Sequence, residues 1–169
     1  EITGATIYFK CENFQKMGAF KMRGAANAIL NMSEAEQKKG ITTHSSGNFA
    51  QAVSLSAKSL GVKAYIVMPN NAPSVKKAAV LGYGATVIDS QPTLADREAE
   101  TAKVMEKTGA TFVHPSNDID VILGQGTAAL ELIEDYPDLD YILSPVGGGG
   151  LIAGTALAAH YFSKKAKAI

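Results

Sequence analysis

The sequence is poor in several residue types, and each shortage excludes a class of protein. Its single cysteine, Cys11, cannot form an internal disulfide, so a disulfide-stapled scaffold is excluded and a reducing, cytoplasmic location is expected. The three histidines lie far apart in the chain, without the spacing of metal ligands: His44, His114 and His160. We therefore predict no metal site formed by these residues alone.

Net charge and long apolar runs are also missing. The 16 basic residues balance the 16 acidic ones, so no overall field attracts nucleic acid or an anionic membrane. No apolar run reaches the roughly 18 to 20 residues of a membrane span, and the first residues do not resemble a signal peptide. We predict neither a nucleic-acid nor a membrane partner. Because only Arg23 and Arg97 are arginines, backbone amides are the expected holders of a small anionic ligand.

Strand-like and helix-like segments alternate along the chain. This alternation predicts an α/β fold with mostly parallel sheets and helices on both faces. The expected strands are TIYFKCE, ITTH, KAYIVMP, ATVID, TFVH and DYILSP, with helices between them. The strand TIYFKCE would bury Cys11, and GQG would interrupt the helix after TFVH, where its glycines allow close backbone packing. The chain opens without methionine and ends on KKAKAI, where the pattern expects another strand, so we expect an incomplete chain.

Four consecutive glycines, Gly147–Gly150, stand between a predicted strand and the helix LIAGTALAAHYF. The backbone N–H groups of such a loop can approach an anion closely, and the helix N-terminus adds its positive dipole end. This arrangement indicates a phosphate site, with a tight turn that needs positive φ or close packing as the alternative. The run lacks the G-x-G-x-x-G spacing of a nicotinamide-binding fold, which disfavours that function, and it lacks the Gly-Lys-Ser/Thr of a P-loop.

Two further segments carry polar groups near predicted helix starts. The loop SSGN, Ser45–Asn48, is suited to bind a carboxylate, although serine and asparagine are also ordinary helix caps. Lys21 lies among apolar neighbours, and a partly buried lysine has a lowered pKa and becomes nucleophilic. The alternative is a solvated surface lysine. An amine, a phosphate loop and a carboxylate loop together indicate pyridoxal phosphate, whose chemistry with amino acids needs all three.

Four segments in order, FKCENFQKMGAFKMRGAANAI, SSGNFAQA, GQGT and PVGGGGLIAG, resemble the serine/threonine dehydratase and serine racemase family. These are pyridoxal-phosphate enzymes of the tryptophan-synthase-β fold type, fold type II, and the resemblance covers essentially the whole chain. It implies two domains, with residues 1–33 and 122–169 in the larger and 34–121 in the smaller. It also implies a homodimer, a small amino-acid substrate, and a divalent-cation site formed by residues beyond this chain.

The resemblance also assigns roles to individual residues. It implies that Lys21 binds the cofactor aldehyde and that Ser46 lies on the opposite side of the cofactor plane, so both would be catalytic. The implied cofactor contacts are Phe20, Lys21, Asn48, Gly147, Gly148, Gly149 and Gly150. The implied substrate contacts are Ser45, Ser46, Gly47, Asn48 and Phe49. The family often has histidine where this chain has Phe49, which places an apolar ring beside the carboxylate loop.

The expected reaction is a β-elimination from a β-hydroxy amino acid such as serine, threonine or 3-hydroxyaspartate, giving a keto acid and ammonia. Lys21 would take the Cα proton while the cofactor ring absorbs the electrons. If Ser46 returned a proton on the opposite face, the same site would be an amino-acid racemase. Two other interpretations stay open: β-replacement of the cysteine-synthase kind, and a non-catalytic lobe that only binds a ligand.

Overall fold

The computed structural model describes residues 4–169, and its helices and strands alternate as the sequence predicts. The helices are α1 (Lys21–Asn31), α2 (Glu34–Lys39), α3 (Asn48–Leu60), α4 (Ser74–Gly82), α5 (Leu94–Thr108), α6 (Ile119–Asp135) and α7 (Gly150–Phe162). The strands are β1 (Ile41–His44), β2 (Ala64–Pro69), β3 (Thr86–Ser90), β4 (Thr111–Phe112), β5 (Tyr141–Ile142) and β6 (Lys167–Ala168). Two short 3₁₀ helices, Glu12–Phe14 and Lys16–Gly18, precede α1.

The strands form two parallel sheets. The larger has the order β3-β2-β1-β4, and the smaller pairs β5 with β6, which lies within KKAKAI. Every residue of β1 is buried, as expected for a parallel strand covered on both faces. Side chains alternate along a strand, so Ile41 and His44 point to opposite faces of the sheet. Ile41 packs in the same core as α3, whereas His44 lies near charged side chains of α5. The prediction of helices on both faces is therefore confirmed.

Helix α6 belongs to both hydrophobic cores. The main core combines apolar residues of α1, α3, α4 and the larger sheet, and Val121 near the start of α6 is part of it. The second core lies between α6, α7 and the smaller sheet, and it includes Ala129 and Ile133 from the later turns of α6. This one helix therefore connects the two sheets.

Glycines allow α6 to lie directly against α1 and α7. A Cβ atom on Gly24 would lie 2.7 Å from a carbonyl oxygen of α6, and one on Gly124 would lie 2.6 Å from the carbonyl oxygen of Arg23. On the other side, a Cβ on Gly126 would lie 2.7 Å from the carbonyl oxygen of Gly154. Because real Cβ atoms do not approach backbone this closely, these helices can pack in this way only with glycine at the crossings.

Two predictions from the sequence are wrong. The predicted interruption at GQG does not occur, since α6 runs unbroken through it and its glycines serve the helix crossings. The segment TIYFKCE is not a strand: Phe9 is 82% exposed, and Cys11 is exposed rather than buried. Its apolar pattern suggested a strand, but a strand needs a neighbour for its backbone groups. Within residues 4–169 this segment has none.

Arg23 connects the segment before α1 to α6. Its guanidinium donates to both carboxylate oxygens of Glu12, at 2.8 and 2.9 Å, and to both of Glu131, at 2.6 and 2.8 Å. It also donates to the Thr127 hydroxyl at 3.0 Å, and Lys10 pairs with Glu131 at 2.6 Å. Hydrogen bonds from Arg23 are the main reason that the pKa of Glu131 falls to about 2.

Because of the Glu131 carboxylate, the free energy of unfolding should depend on pH in the acidic range. Its pKa is depressed from 4.5 to about 2 in the folded protein, so its contribution is present above pH 4.5 and is lost as the pH falls towards 2. We expect Glu131→Gln to lower the free energy of unfolding by about 1 to 2 kcal/mol at neutral pH and to flatten its acid dependence. Urea unfolding across this pH range measures both effects. The control is Glu134→Gln, an exposed position on the same helix that should change little. An unchanged acid slope in Glu131→Gln would contradict the assignment.

The helix crossings predict that two glycine-to-alanine substitutions will have different effects on the free energy of unfolding. Gly126→Ala should lower the free energy of unfolding by about 2 kcal/mol, because its methyl group meets the backbone of α7. Gly82→Ala, in the last turn of α4, meets nothing within 4 Å and should be neutral or slightly stabilising. Chemical denaturation of the two variants checks the difference, and equal effects would show that the close approach does not matter.

Candidate active site

The Lys21 side chain is held in a partly buried position at the start of α1. Its Nζ donates to the carbonyl oxygen of Pro115 at 2.9 Å, and it lies 5.2 Å and 5.6 Å from the ring centroids of Phe20 and Phe49. Burial lowers the pKa of this amine below its usual value. Lys21 is therefore not an ordinary solvated lysine, and its amine is available as a nucleophile at lower pH than a surface lysine.

The turn 114–117, which follows β4, fixes the oxygen that binds Lys21. The Nδ1 atom of His114 accepts the backbone N–H groups of Ser116 at 3.1 Å and Asn117 at 2.9 Å. These bonds hold the Pro115 carbonyl in place between them. No sequence motif marks this turn, although it follows a strand of the parallel sheet, where ligands bind in such folds. That position was the signal that could have found it.

The glycine run packs against the same turn. A Cβ on Gly148 would lie 2.8 Å from the Ser116 Cβ, and one on Gly150 would lie 3.1 Å from its Cα. A Cβ on Gly147 or Gly149 would meet nothing within 4 Å, so the loop is closed on one side and open on the other. The tight-turn alternative accounts for Gly149, whose φ is +88°, and for Gly148 and Gly150, which pack closely against Ser116. It does not account for Gly147, which faces open space beside the N-terminus of the 13-residue helix α7.

The loop SSGN connects β1 to α3. Gly47 is the N-cap residue of α3 and no side chain caps this helix, so ordinary capping does not explain Ser46 or Asn48. The Ser45 hydroxyl accepts the N–H of Gly47 at 3.3 Å. Phe49 is 2% exposed, and its ring is the contact that joins this loop to Lys21.

The structure therefore brings some of the predicted residues together and leaves others apart. Lys21 contacts Phe20 and Phe49 directly, and it reaches the glycine run through Pro115 and its neighbour. In the described part of the chain, neither Ser46 nor Asn48 hydrogen-bonds to Lys21. Ser45, Ser46 and Gly47 are partly buried, whereas Asn48 is exposed at the first position of α3.

Residues 4–169 contain no group of three or more His, Cys, Asp or Glu side chains placed to hold a metal ion. They also contain no helix that is long and apolar enough to cross a membrane.

Comparison with known proteins identifies the family. Residues 1–169 match the family described as "Pyridoxal-phosphate dependent enzyme". The chain belongs to this family. The resemblance inferred from the four sequence motifs is thus confirmed, and so is the fold type that it implies.

The similar proteins include racemases and lyases. Serine racemase of Dictyostelium discoideum is 52% identical over 159 residues, 94% of this chain and 49% of the relative. Its crystal structure superimposes with a TM-score of 0.92 at 51% identity, over 95% of this chain and 52% of that chain. Beta-hydroxyaspartate dehydratase of Paracoccus denitrificans is 50% identical over 157 residues, 93% of this chain and 50% of the relative. L-threonine ammonia-lyase of Thermotoga maritima is 48% identical over 170 residues, 100% of this chain and 42% of the relative. The chain spans about half the length of the curated relatives it matches.

The residues of this site fit pyridoxal phosphate. Lys21 offers an amine with a lowered pKa, which the cofactor aldehyde requires. The open side of Gly147–Gly150, at the N-terminus of a long helix, offers backbone N–H groups to the cofactor phosphate. Both groups lie against one turn, 114–117, so a single small molecule can contact them together.

The lowered pKa of Lys21 predicts its reactivity. In the cofactor-free protein, Lys21 should be acylated by acetic anhydride with a midpoint at lower pH than Lys103, whose exposed amine has its pKa raised by Glu100. Competitive labelling across a pH series, followed by peptide mass analysis, measures both lysines in one sample. A midpoint for Lys21 equal to or above that of Lys103 would contradict the burial argument.

Proposed function

We propose that the protein uses pyridoxal phosphate to eliminate the hydroxyl group of a β-hydroxy amino acid, giving a keto acid and ammonia. The observation that carries this proposal is the Lys21 amine, which is partly buried, held by the Pro115 carbonyl and connected to the glycine run. The names of the relatives support it, since they include a threonine ammonia-lyase and a hydroxyaspartate dehydratase. The substrate class is accordingly serine, threonine or 3-hydroxyaspartate.

Each residue has a role in binding. Lys21 would hold the cofactor aldehyde, and Phe20 and Asn48 would contact the cofactor. The N–H groups of Gly147–Gly150 would hold its phosphate, and the loop 45–49 would hold the substrate carboxylate. When bound, the cofactor supplies a ring that accepts the electrons released at the substrate Cα.

Lys21 also moves the proton. Its Nζ would be the base that removes the substrate Cα proton. Burial favours the neutral form of this amine, which a base requires, and the 2.9 Å hydrogen bond to Pro115 keeps it oriented. The rings of Phe20 and Phe49 exclude water from the amine, so that it is not solvated while it acts.

Racemisation is the second candidate function. It is favoured by the 52% identity to a serine racemase and by the position of Ser46 in a loop whose helix it does not cap. Ser46 would return a proton on the face opposite Lys21. Chiral analysis of serine incubated with the enzyme separates racemisation from elimination, and a sulfide acceptor assay separates both from β-replacement.

The remaining proposals concern the whole protein. We propose that it is a cytoplasmic homodimer with residues 34–121 as a small domain and 1–33 with 122–169 in a larger one. The domain division is supported by the two sheets, because β1–β4 lie within the first range and β5–β6 within the last. The single cysteine supports a reducing compartment.

The proposed function is tested by Lys21→Ala in the intact protein. Borohydride should attach the cofactor covalently to Lys21 in the wild type and to no lysine in the variant. The variant should lose activity by about a thousandfold or more, since it lacks both the covalent anchor and the base. Lys58→Ala, an exposed position on α3, is the control and should keep both properties. Turnover retained in Lys21→Ala would exclude the mechanism. Tight ligand binding by the wild type without a covalent product on Lys21 would favour a non-catalytic lobe.

A further inference from the structure

Gln125 is the most unusual buried side chain outside the contacts described so far. It lies in the middle of α6 with 0% of its surface exposed. Neither its Oε1 nor its Nε2 has a hydrogen-bond partner among residues 4–169. An amide that is buried with both ends unpaired destabilises a fold, and an apolar side chain of similar size would avoid this cost. Packing alone therefore does not explain a glutamine at this position.

The surroundings of Gln125 direct its amide towards the glycine run. Its Cγ lies 2.9 Å from the position of a Cβ on Gly24, and its Oε1 lies 3.5 Å from that of a Cβ on Gly150. The flanking residues, Gly124 and Gly126, are fixed by the helix crossings, so the backbone of α6 holds the side chain in this direction. The amide thus lies behind the first turn of α7, on the side away from the open face of the loop.

A second polar group lies at the same place. The Ser116 carbonyl oxygen is 3.2 Å from the position of a Cβ on Gly150, which is the same position that Gln125 Oε1 approaches to 3.5 Å. An amide can accept one hydrogen bond at its oxygen and donate two at its nitrogen. Gln125 therefore has the groups needed to join the first turn of α7 to the turn that carries Pro115, the partner of Lys21.

We propose that Gln125 is a positioning residue for the phosphate loop, and that its amide gains its hydrogen bonds when the loop closes around an anion. Oε1 then accepts an N–H of the loop, and Nε2 donates to the Ser116 carbonyl. This inference rests on the proposed function, because the anion is the phosphate group of the cofactor. The unpaired amide weakens the anion-free protein, and its pairing strengthens the anion-bound one. Gln125 thereby couples anion binding to the turn that holds Lys21.

The test replaces the amide with an apolar side chain of similar length, Gln125→Met. We expect the variant without ligand to be as stable as the wild type or more stable in urea unfolding. Its affinity for inorganic phosphate and for pyridoxal phosphate should fall about tenfold, which corresponds to the loss of one to two hydrogen bonds. Calorimetry measures the first ligand, and absorbance titration measures the second. A purely structural role would instead lower stability and leave both affinities unchanged.

A control and a second variant decide the other outcomes. The control is Thr42→Val, which removes a buried hydroxyl that, like the Gln125 amide, has no partner in the described residues. It should leave both affinities unchanged. If Gln125→Met loses stability and affinity together, Gln125→Glu decides, since it keeps the shape but places a carboxylate behind the anion. Its phosphate affinity should fall below that of the methionine variant and recover as the carboxylate is protonated. Equal loss at every pH overturns the inference.

The wild type distinguishes failure of this inference from failure of the proposed function. If the wild-type protein binds neither phosphate nor pyridoxal phosphate, the proposed function fails. If it binds them and the Gln125 variants bind equally well, only the role of Gln125 is wrong.

Discussion

The rest of the structure depends on the close approach of α6 to two other helices. Gly24 and Gly124 form the crossing with α1, and Gly126 and Gly154 form the crossing with α7. Each crossing lies about one helical turn from a residue of the candidate site, since Lys21 begins α1 and Gly150 begins α7. Because α6 runs unbroken between the two crossings, it fixes the distance between the Lys21 amine and the glycine run. A side chain at either crossing would move one of these groups relative to the other.

The turn 114–117 contacts both Lys21 and the glycine run, so it positions them together as α6 does. It places a carbonyl oxygen on Lys21 and a serine against the glycine run, and His114 gives it a defined shape through two hydrogen bonds. Two separate sets of contacts thus hold the site: the packing of α6 against α1 and α7, and the contacts of this turn. Such double support is what a reactive amine requires, because its useful pKa depends on staying desolvated and in one position.

Most of the fold could be predicted from the sequence, because apolar periodicity, glycine and proline positions carry the local information. The predicted strands ITTH and ATVID came close to the observed β1 and β3. The failures depend on contacts between distant segments. Whether TIYFKCE forms a strand depends on a neighbouring edge, and whether GQG breaks a helix depends on what lies beside it. For the same reason, motifs indicated Lys21 and the glycine run, whereas the contacts that join His114, Pro115 and Gln125 to them follow only from the packing.

Several features of the site are unfavourable for stability, and they lie close together. A lysine is desolvated at a helix N-terminus, where the dipole also opposes its charge. The Gln125 amide is buried without a hydrogen-bond partner among residues 4–169. Elsewhere the cores are mainly apolar and an arginine pairs with two carboxylates, although Thr42, Thr43 and Ser144 also bury hydroxyls without a partner among residues 4–169. Local rules that fail together around one small volume indicate selection for chemistry there rather than for folding. A ligand that pairs the amine, fills the open side of the loop and satisfies the amide would relieve these costs, so binding and folding are coupled at this site.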